Sequence, residues 1–356
     1  MMAHALRLAR RGLYSAHPNP RVGCVLARDG KIVGEGWHRR TGEAHAEINA
    51  LESAGTRARG CTAYVTLEPC SHHGRTPPCA EALIAAGVAV VIIAMQDPNP
   101  KVAGTGIESL RAAGIQVRSG LMSEAALRLN EGFVSRVTRG RPFVRLKLAS
   151  SLDGRTAMAS GESQWITGEA ARRDVQRLRA SSGAIMTGVS SVIDDDPSLN
   201  VRLGSPDVEG AQPIRVVVDS GLRTPPSARL LSLPGRTIIY CTNDGNRATL
   251  EASGADVIKL GAVDGRPDLQ AVLQELGDLG INDLLVESGP TLAGSMVCAG
   301  VVDELVIYQA PHIMGSQTHG MFLTPGWQNL DQRLALDIID IRKVGGDLRI
   351  TARPAS

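Results

Sequence analysis

The chain has 356 residues, of which 43% are apolar but only 3% aromatic, and its formal charge is +2. This length fits two domains of ordinary size, with cores built from Ala, Val, Leu and Ile rather than from rings. Near-neutral charge and scarce aromatics exclude the basic footprint and stacking platforms of a nucleic-acid binder, and no apolar run approaches a membrane span.

Asp29 is the first acidic residue, and Arg7, Arg10, Arg11 and Arg21 precede it. Residues 2–13 carry apolar side chains at helical spacing with the arginines on the wet face, so the spacing predicts a structural helix rather than a transit peptide. After His17-Pro-Asn-Pro20, strands over Val22–Arg28 and Lys31–Trp37 flank Asp29-Gly30, a two-residue hairpin signal. A helix is predicted over about Ala44–Ala54 and a strand over Thr62–Thr66. A second helix opens at Thr76-Pro-Pro and stops at Gly87. Val88–Ala94 reads as a buried strand, followed by a helix near Gly106–Ala113 and a strand near Ile115–Arg118. The expected arrangement is a three-layer α/β/α unit.

Residues 121–141 hold a helical stretch that ends in the basic, breaker-containing Thr138-Arg-Gly-Arg-Pro142. The domain boundary is placed there, giving domains 1–141 and 142–356. A second α/β series starts with the strand Phe143–Leu148 and shows no repeat of the first. Its helices are predicted near 168–181, 246–253, 268–279 and 290–299, and its strands near 183–187, 214–218, 237–241, 255–259, 283–286 and 303–309. The strand Leu284–Glu287, the turn Gly289-Pro290 and the helix Thr291–Ala299 suit an anion, because free N–H groups point outward at a helix N-terminus. This is not the G-x-G-x-x-G fingerprint, so a Rossmann domain is not indicated.

The chemistry-bearing pattern is His45-Ala-Glu47 followed by Pro69-Cys70 and Cys79. Zinc prefers nitrogen and sulfur ligands, and three of them leave a fourth position for water. His45, Cys70 and Cys79 are the candidate ligands of a Zn2+ ion. Glu47, two residues from the histidine, is the candidate proton carrier, in the residue order of the zinc deaminases of nucleobases. Cys79 is expected in the first turn of a helix, where positive partial charge favours thiolate. Eight residues separate the cysteines instead of the two of that signature, and His72 or His73 between them would close the metal shell in an alternative, structural site. Asn19, held between two prolines, offers its amide to a substrate or serves as a turn residue. Cys24, Cys61, Cys241 and Cys298 lie in apolar stretches and are expected to be buried; six cysteines so spread do not form a disulfide framework, and a cytoplasmic enzyme is expected.

His17-Pro-Asn-Pro-x-Val-Gly-Cys24, His45-Ala-Glu47 and Thr66-Leu-Glu-Pro-Cys-Ser-His-His-Gly-Arg-Thr-Pro-Pro-Cys79 resemble the bifunctional deaminase–reductases of riboflavin biosynthesis. So do Lys147-Leu-Ala-Ser-Ser-Leu-Asp-Gly-Arg-Thr-Ala157, Ser160-Gly-Glu-Ser-Gln-Trp-Ile-Thr167, Asp195-Asp-Pro197 and Glu287-Ser-Gly-Pro-Thr-Leu-Ala-Gly294. The long cysteine spacing is that family's own. The resemblance implies a cytidine-deaminase-like domain followed by a dihydrofolate-reductase-like domain that uses NADPH. It implies that Ala149, Trp165, Ser191, Asp195, Ser220, Gly289, Pro290, Thr291, Leu292, Ala293, Gly294 and Ser295 line the dinucleotide. Asn19, Lys147, Ser163, Arg179, Leu199, Arg202 and Glu287 would hold a phosphorylated pyrimidine, with Arg179 and Arg202 as forks for the ribose phosphate. Trp165 offers a flat ring a partner or sits in the core. A homo-oligomer is also expected. The competing readings are a nucleic-acid-editing zinc deaminase, a zinc-stapled ligand sensor, and a deaminase with an inactive reductase-like domain.

Overall fold

The computed structural model describes residues 1–71, 78–100, 102–204 and 212–355. The chain divides into two compact units, Met1–Gly140 and Arg141–Ser356. No helix among the described residues is long and apolar enough to cross a membrane.

The first unit runs α1 (Met2–Ala9), β1 (Gly23–Arg28), β2 (Lys31–Trp37), α2 (Ala46–Ala54), β3 (Thr62–Val65), α3 (Cys79–Ala85), β4 (Val90–Ile93), α4 (Thr105–Ala112), β5 (Gln116–Ser119), α5 (Ser123–Leu129) and α6 (Glu131–Arg139). Its sheet has the order β2-β1-β3-β4-β5, with β1 antiparallel to both neighbours and β3, β4 and β5 parallel. Asp29 and Gly30 both take positive φ, 50° and 74°, as a tight hairpin between right-twisted strands requires. One face of the sheet buries Leu26, Val65, Val91 and Ile93 against alanines and leucines of α2, α3 and α4; the other buries Val25 against α1 and α5. The expected three layers are present. Small side chains permit close approach: a Cβ on Gly36 would fall 2.5 Å from the Ala46 carbonyl oxygen, so β2 can carry α2 only with glycine there. That contact sets where the start of α2 stands.

The second unit runs β6 (Phe143–Ser150), β7 (Arg155–Ala157), α7 (Glu169–Ala180), β8 (Ala184–Gly188), α8 (Val189–Asp195), β9 (Ile214–Val218), α9 (Arg229–Ser232), β10 (Thr237–Cys241), α10 (Arg247–Ala252), β11 (Ala255–Lys259) and the short pair β12 (Ala262–Val263) and β13 (Arg266–Pro267). It continues with α11 (Leu269–Asp278), β14 (Asp283–Glu287), α12 (Pro290–Cys298), β15 (Glu304–Gln309), β16 (His319–Gly320), β17 (Leu336–Val344) and β18 (Asp347–Pro354). Nine strands form one sheet, β11-β10-β9-β8-β14-β6-β15-β18-β17, all in one direction except β18, which is antiparallel to both of its neighbours. Helices α11 and α12 cover the main core, which includes Leu146, Leu148, Leu284, Val286 and Met296. Helix α7 packs on the opposite face against Val306 and Tyr308. Helices α8 and α9 and the strands β7, β12, β13, β16, β17 and β18 add to the predicted elements. Cys298 departs from expectation: it is exposed at the solvent-facing end of α12, whereas Cys24, Cys61 and Cys241 are buried.

Candidate active sites

His45 is the N-cap of α2 and Cys79 the first residue of α3, so two helix starts and the loop after β3 converge. His45 Nδ1 lies 3.3 Å from Cys79 Sγ and 3.6 Å from Cys70 Sγ, and the three ligand atoms all lie within 4.8 Å of one another. Zinc bound tetrahedrally at ordinary Zn–N and Zn–S lengths needs a nitrogen–sulfur edge of about 3.6 Å. The donor set therefore fits zinc in both chemistry and spacing. Shared hydrogen bonding with the Cys79 thiol, together with His45 and the Cys79 amide, holds Cys70 down at about 4, the thiolate that a metal requires. The same sharing, with burial, pushes the Cys79 thiol up. The alternative ligands His72 and His73, like the Thr76-Pro77 start predicted for the second helix, lie outside the described residues.

Glu47 stands in the first turn of α2 and is 3% exposed. Burial, and then the negative charge of Cys70, raise its pKa to about 7. Asn19 is half-buried, its Nδ2 3.0 Å from His38 Nε2, while His38 Nδ1 reaches the Ala44 carbonyl at 3.2 Å. With Nδ1 donating, Nε2 accepts from Asn19, which turns the amide oxygen of Asn19 away from His38. The sequence reading missed His38, the first residue after β2, in the loop that leads to His45. It also missed Glu68. Each oxygen of this buried carboxylate accepts two backbone N–H groups: Oε1 from Gly106 (2.9 Å) and Ile107 (3.2 Å), Oε2 from Asp97 (3.1 Å) and Gly104 (3.0 Å). The Pro69 carbonyl comes so near Gly106 that a Cβ there would lie 2.0 Å from it. The loop carrying Cys70 is thus tied to the start of α4.

In the second unit a cavity of about 1270 Å³ opens where the carboxyl ends of β6, β8, β9 and β14 meet, the expected place for a ligand of a parallel sheet. Lys147, Ala149, Ser163, Arg179, Ser191, Asp195, Leu199, Ser220, Glu287, Gly289, Pro290, Thr291, Leu292, Gly294 and Ser295 line it. Trp165, Ala293 and Arg202 do not. Trp165 is 68% exposed with the Arg172 guanidinium stacked on it, so it is no core residue; Ala293 faces the core; Arg202 is exposed, near Asn200. Arg173 and Arg177 of the same helix as Arg179 are solvated, as a charged helix face should be.

Lys147 and Glu287 are direct partners across β6 and β14, with Nζ 3.9 Å from Oε2. Arg179 Nε and Nη2 donate to Glu287 Oε1 and Oε2 at 2.6 and 3.0 Å, and Nη1 donates to the Asn200 carbonyl. All three nitrogens of Arg179 are thus engaged within the protein, which leaves the exposed Arg202 as the freer fork. Burial opposes the charge of Glu287, but Arg179 and then Lys147 outweigh it and hold its pKa below the usual range. The hydroxyls of Thr187 and Ser288 line the cavity, are buried, and have no hydrogen-bond partner among the described residues. Together with the start of α12, which no side chain caps, they fit a polar, phosphate-bearing ligand such as a dinucleotide. Arg223 and Arg266, which the sequence reading did not single out, also line the cavity.

The family described as "Cytidine and deoxycytidylate deaminase zinc-binding region" matches residues 1–95, and that described as "RibD C-terminal domain" matches residues 142–350. The chain belongs to the RibD family. It is 51% identical to the riboflavin biosynthesis protein RibD of Escherichia coli K12, over 98% of this chain and 96% of that protein. Its identity to RibD of Haemophilus influenzae is 45%, over 99% and 96%. Among solved structures it is similar to Acinetobacter baumannii RibD, with a TM-score of 0.92 at 45% identity over 99% and 98% of the two chains. A Thermotoga maritima structure described as a diaminohydroxyphosphoribosylaminopyrimidine deaminase/5-amino-6-(5-phosphoribosylamino)uracil reductase gives 0.87 at 33% identity, over 99% and 97%. This member of the RibD family is a bifunctional enzyme of riboflavin biosynthesis. Its cytidine-deaminase domain holds the His45, Cys70, Cys79 zinc-binding site, and a dihydrofolate-reductase-like domain follows.

Proposed function

We propose that the chain deaminates 2,5-diamino-6-ribosylamino-4(3H)-pyrimidinone 5′-phosphate and then reduces the ribosyl chain of 5-amino-6-(5-phosphoribosylamino)uracil to ribityl with NADPH. The observation that carries this reading is the Glu47 carboxyl, buried beside three zinc-competent donors, in a chain whose other unit has a cavity at the strand ends. When bound, zinc supplies a water of near-neutral pKa. Glu47, poised near neutrality, takes a proton from the attacking water, delivers it to the ring nitrogen and then helps ammonia leave. Asn19, with its amide oxygen free, orients the pyrimidine.

In the second unit NADPH, when bound, supplies the hydride. The start of α12, from Gly289 to Ser295, together with Ala149, Ser191, Asp195 and Ser220, holds the dinucleotide, with Trp165 contributing from outside the cavity. Asp195 accepts from Ser163 Oγ at 3.2 Å and so ties the cofactor side to the substrate side. Arg202 and Arg179 favour the substrate phosphate, Leu199 packs its apolar part, and Lys147 and Glu287 move a proton at the reacting carbon's oxygen. The enzyme is proposed to be cytoplasmic, where thiols stay reduced, and homo-oligomeric; its cysteines are unbridged. Mass spectrometry of the products tests the reading. Purified protein should release ammonia and form the uracil intermediate without NADPH, and the ribityl product with it. Accumulation of the uracil intermediate despite NADPH would refute the second activity.

A further inference from the structure

Among the described residues, no Phe, Tyr or Trp lines the cavity of the second unit. A purine bound there must find its flat neighbour elsewhere, and a guanidinium is the other planar group that stacks well on an aromatic face. Arg179 is spent on Glu287. The side chains of Arg223 and His319 also line the cavity, but no hydrogen bond among the described residues holds either plane in place. Arg266 differs. Its Nη1 donates to Ser295 Oγ at 3.0 Å. Ser295 Oγ gives its only proton to the Thr291 carbonyl, at 2.9 Å, so towards Arg266 it can only accept. The guanidinium is fixed against the second turn of α12, and the residue as a whole stays exposed.

Arg266 stands on the hairpin of β12 and β13, directly opposite Val263. Opposed residues share a face of the hairpin, and both of these line the cavity. Val263 is 56% exposed, an apolar side chain left uncovered beside a guanidinium. The turn between them is short and stiff: Asp264 and Gly265 both take positive φ, 50° and 73°. Behind it Pro267 is buried, and Asp268 caps α11 by accepting the Gln270 N–H at 2.9 Å. Ser295 lies about 9 Å along α12 from Gly289. The pair is therefore set back from the anion-suited start of the helix, as the adenine of a dinucleotide is from its pyrophosphate. The hairpin also follows β11, at the other end of the sheet order from Lys147 on β6. A guanidinium needed only for solubility would have no reason to be tied back onto the cavity wall.

We propose that Val263 and Arg266 seat the adenine ring of the dinucleotide, Arg266 stacking on its face and Val263 covering the ring beside it. The inference rests on NADPH as the cofactor of this unit. Fluorescence titration of the full chain with NADPH tests it. Arg266→Ala should raise the NADPH Kd about tenfold, and Val263→Ser about threefold. Neither should change the circular dichroism spectrum, because both side chains are exposed. Arg266→Lys keeps the charge but not the plane, so it should bind NADPH no better than the alanine variant. Full recovery with lysine would reveal a phosphate contact and overturn the proposal, as would an alanine variant that binds like wild type. A wild type that binds no NADPH would overturn the cofactor reading, and this inference with it.

Discussion

The carboxylate of Glu287 accepts two hydrogen bonds from one guanidinium, that of Arg179, at 2.6 and 3.0 Å, while Lys147 stands 3.9 Å away. Both cations are largely withdrawn from water, and burial lowers the Lys147 pKa, which Glu287 partly restores. Glu287→Gln leaves two buried cations without a counter-charge. Breaking a buried pair in this way costs about 3–5 kcal/mol. The variant should unfold its second unit at a lower denaturant midpoint and reduce supplied uracil intermediate poorly, while still releasing ammonia. An unchanged midpoint would show that the pair is not what holds the strand ends.

Acid should find the same weak points. Glu287 and Glu304 both have folded-state pKa values below the ordinary one. For Glu304, burial opposes the charge but Arg145 at 2.6 Å and Arg353 at 2.9 Å outweigh it. A depressed carboxylate pKa means that the unfolded chain takes up protons first as the pH falls. Their stabilisation is therefore complete above the ordinary glutamate value of about 4.3 and is lost as the pH falls through the folded values. Thermal melts between pH 7 and pH 3 should show the second unit losing stability below about pH 4.5, and Glu304→Gln should flatten that decline. A variant with the parent's slope would contradict the assignment.

Cys70→Ser and Glu47→Gln separate ligand from proton carrier. Both should abolish ammonia release, Glu47→Gln by about a hundred- to ten-thousand-fold, and both should leave reduction of the supplied uracil intermediate intact. Elemental analysis distinguishes them: Glu47→Gln keeps its zinc and Cys70→Ser loses most of it. Loss of both activities in either variant would argue against two separate sites.

The donors at this centre were legible in the sequence because their types and order are unusual, and two of them sit at helix starts that capping residues and breakers reveal. The strands of the second unit were legible where apolar runs are continuous, as in β9, β10 and β14. The hairpin of β17 and β18 was not. Its bulge breaks the two-residue alternation, and charges interrupt its apolar face, so no periodicity survives to be counted. Nor could the engagement of Arg179 be foreseen: its partner Glu287 is 108 residues away, and only pairing through the sheet brings them together.

That engagement has a consequence for the phosphate. Arg179 retains little hydrogen-bonding capacity for a ligand, whereas Arg202 is exposed and, among the described residues, its guanidinium makes only a 3.5 Å contact with Asn200. Arg202→Ala should raise KM for the phosphorylated substrate about tenfold or more, the worth of a charge-assisted fork, and leave the NADPH Kd from fluorescence titration unchanged. A shift in the cofactor constant instead would move Arg202 to the dinucleotide.

Glu68 touches no metal ligand through its side chain, yet its neighbours in sequence carry Cys70. Four backbone N–H groups from residues 97–107 converge on its two oxygens, and an ionised carboxylate, with acceptors only, can satisfy all four. Glutamine cannot, because its amide nitrogen would face two donors. Glu68→Gln should therefore release the Pro69–Cys70 loop from the start of α4 and let the Cys70 sulfur drift from its 3.6 Å station beside His45. Supporting groups of this kind are worth about ten- to a hundredfold in metal affinity. Competition with a chromophoric chelator should show zinc held that much more weakly, and ammonia release should return when excess zinc is supplied. If the variant holds zinc as tightly as the parent, Glu68 only braces the fold.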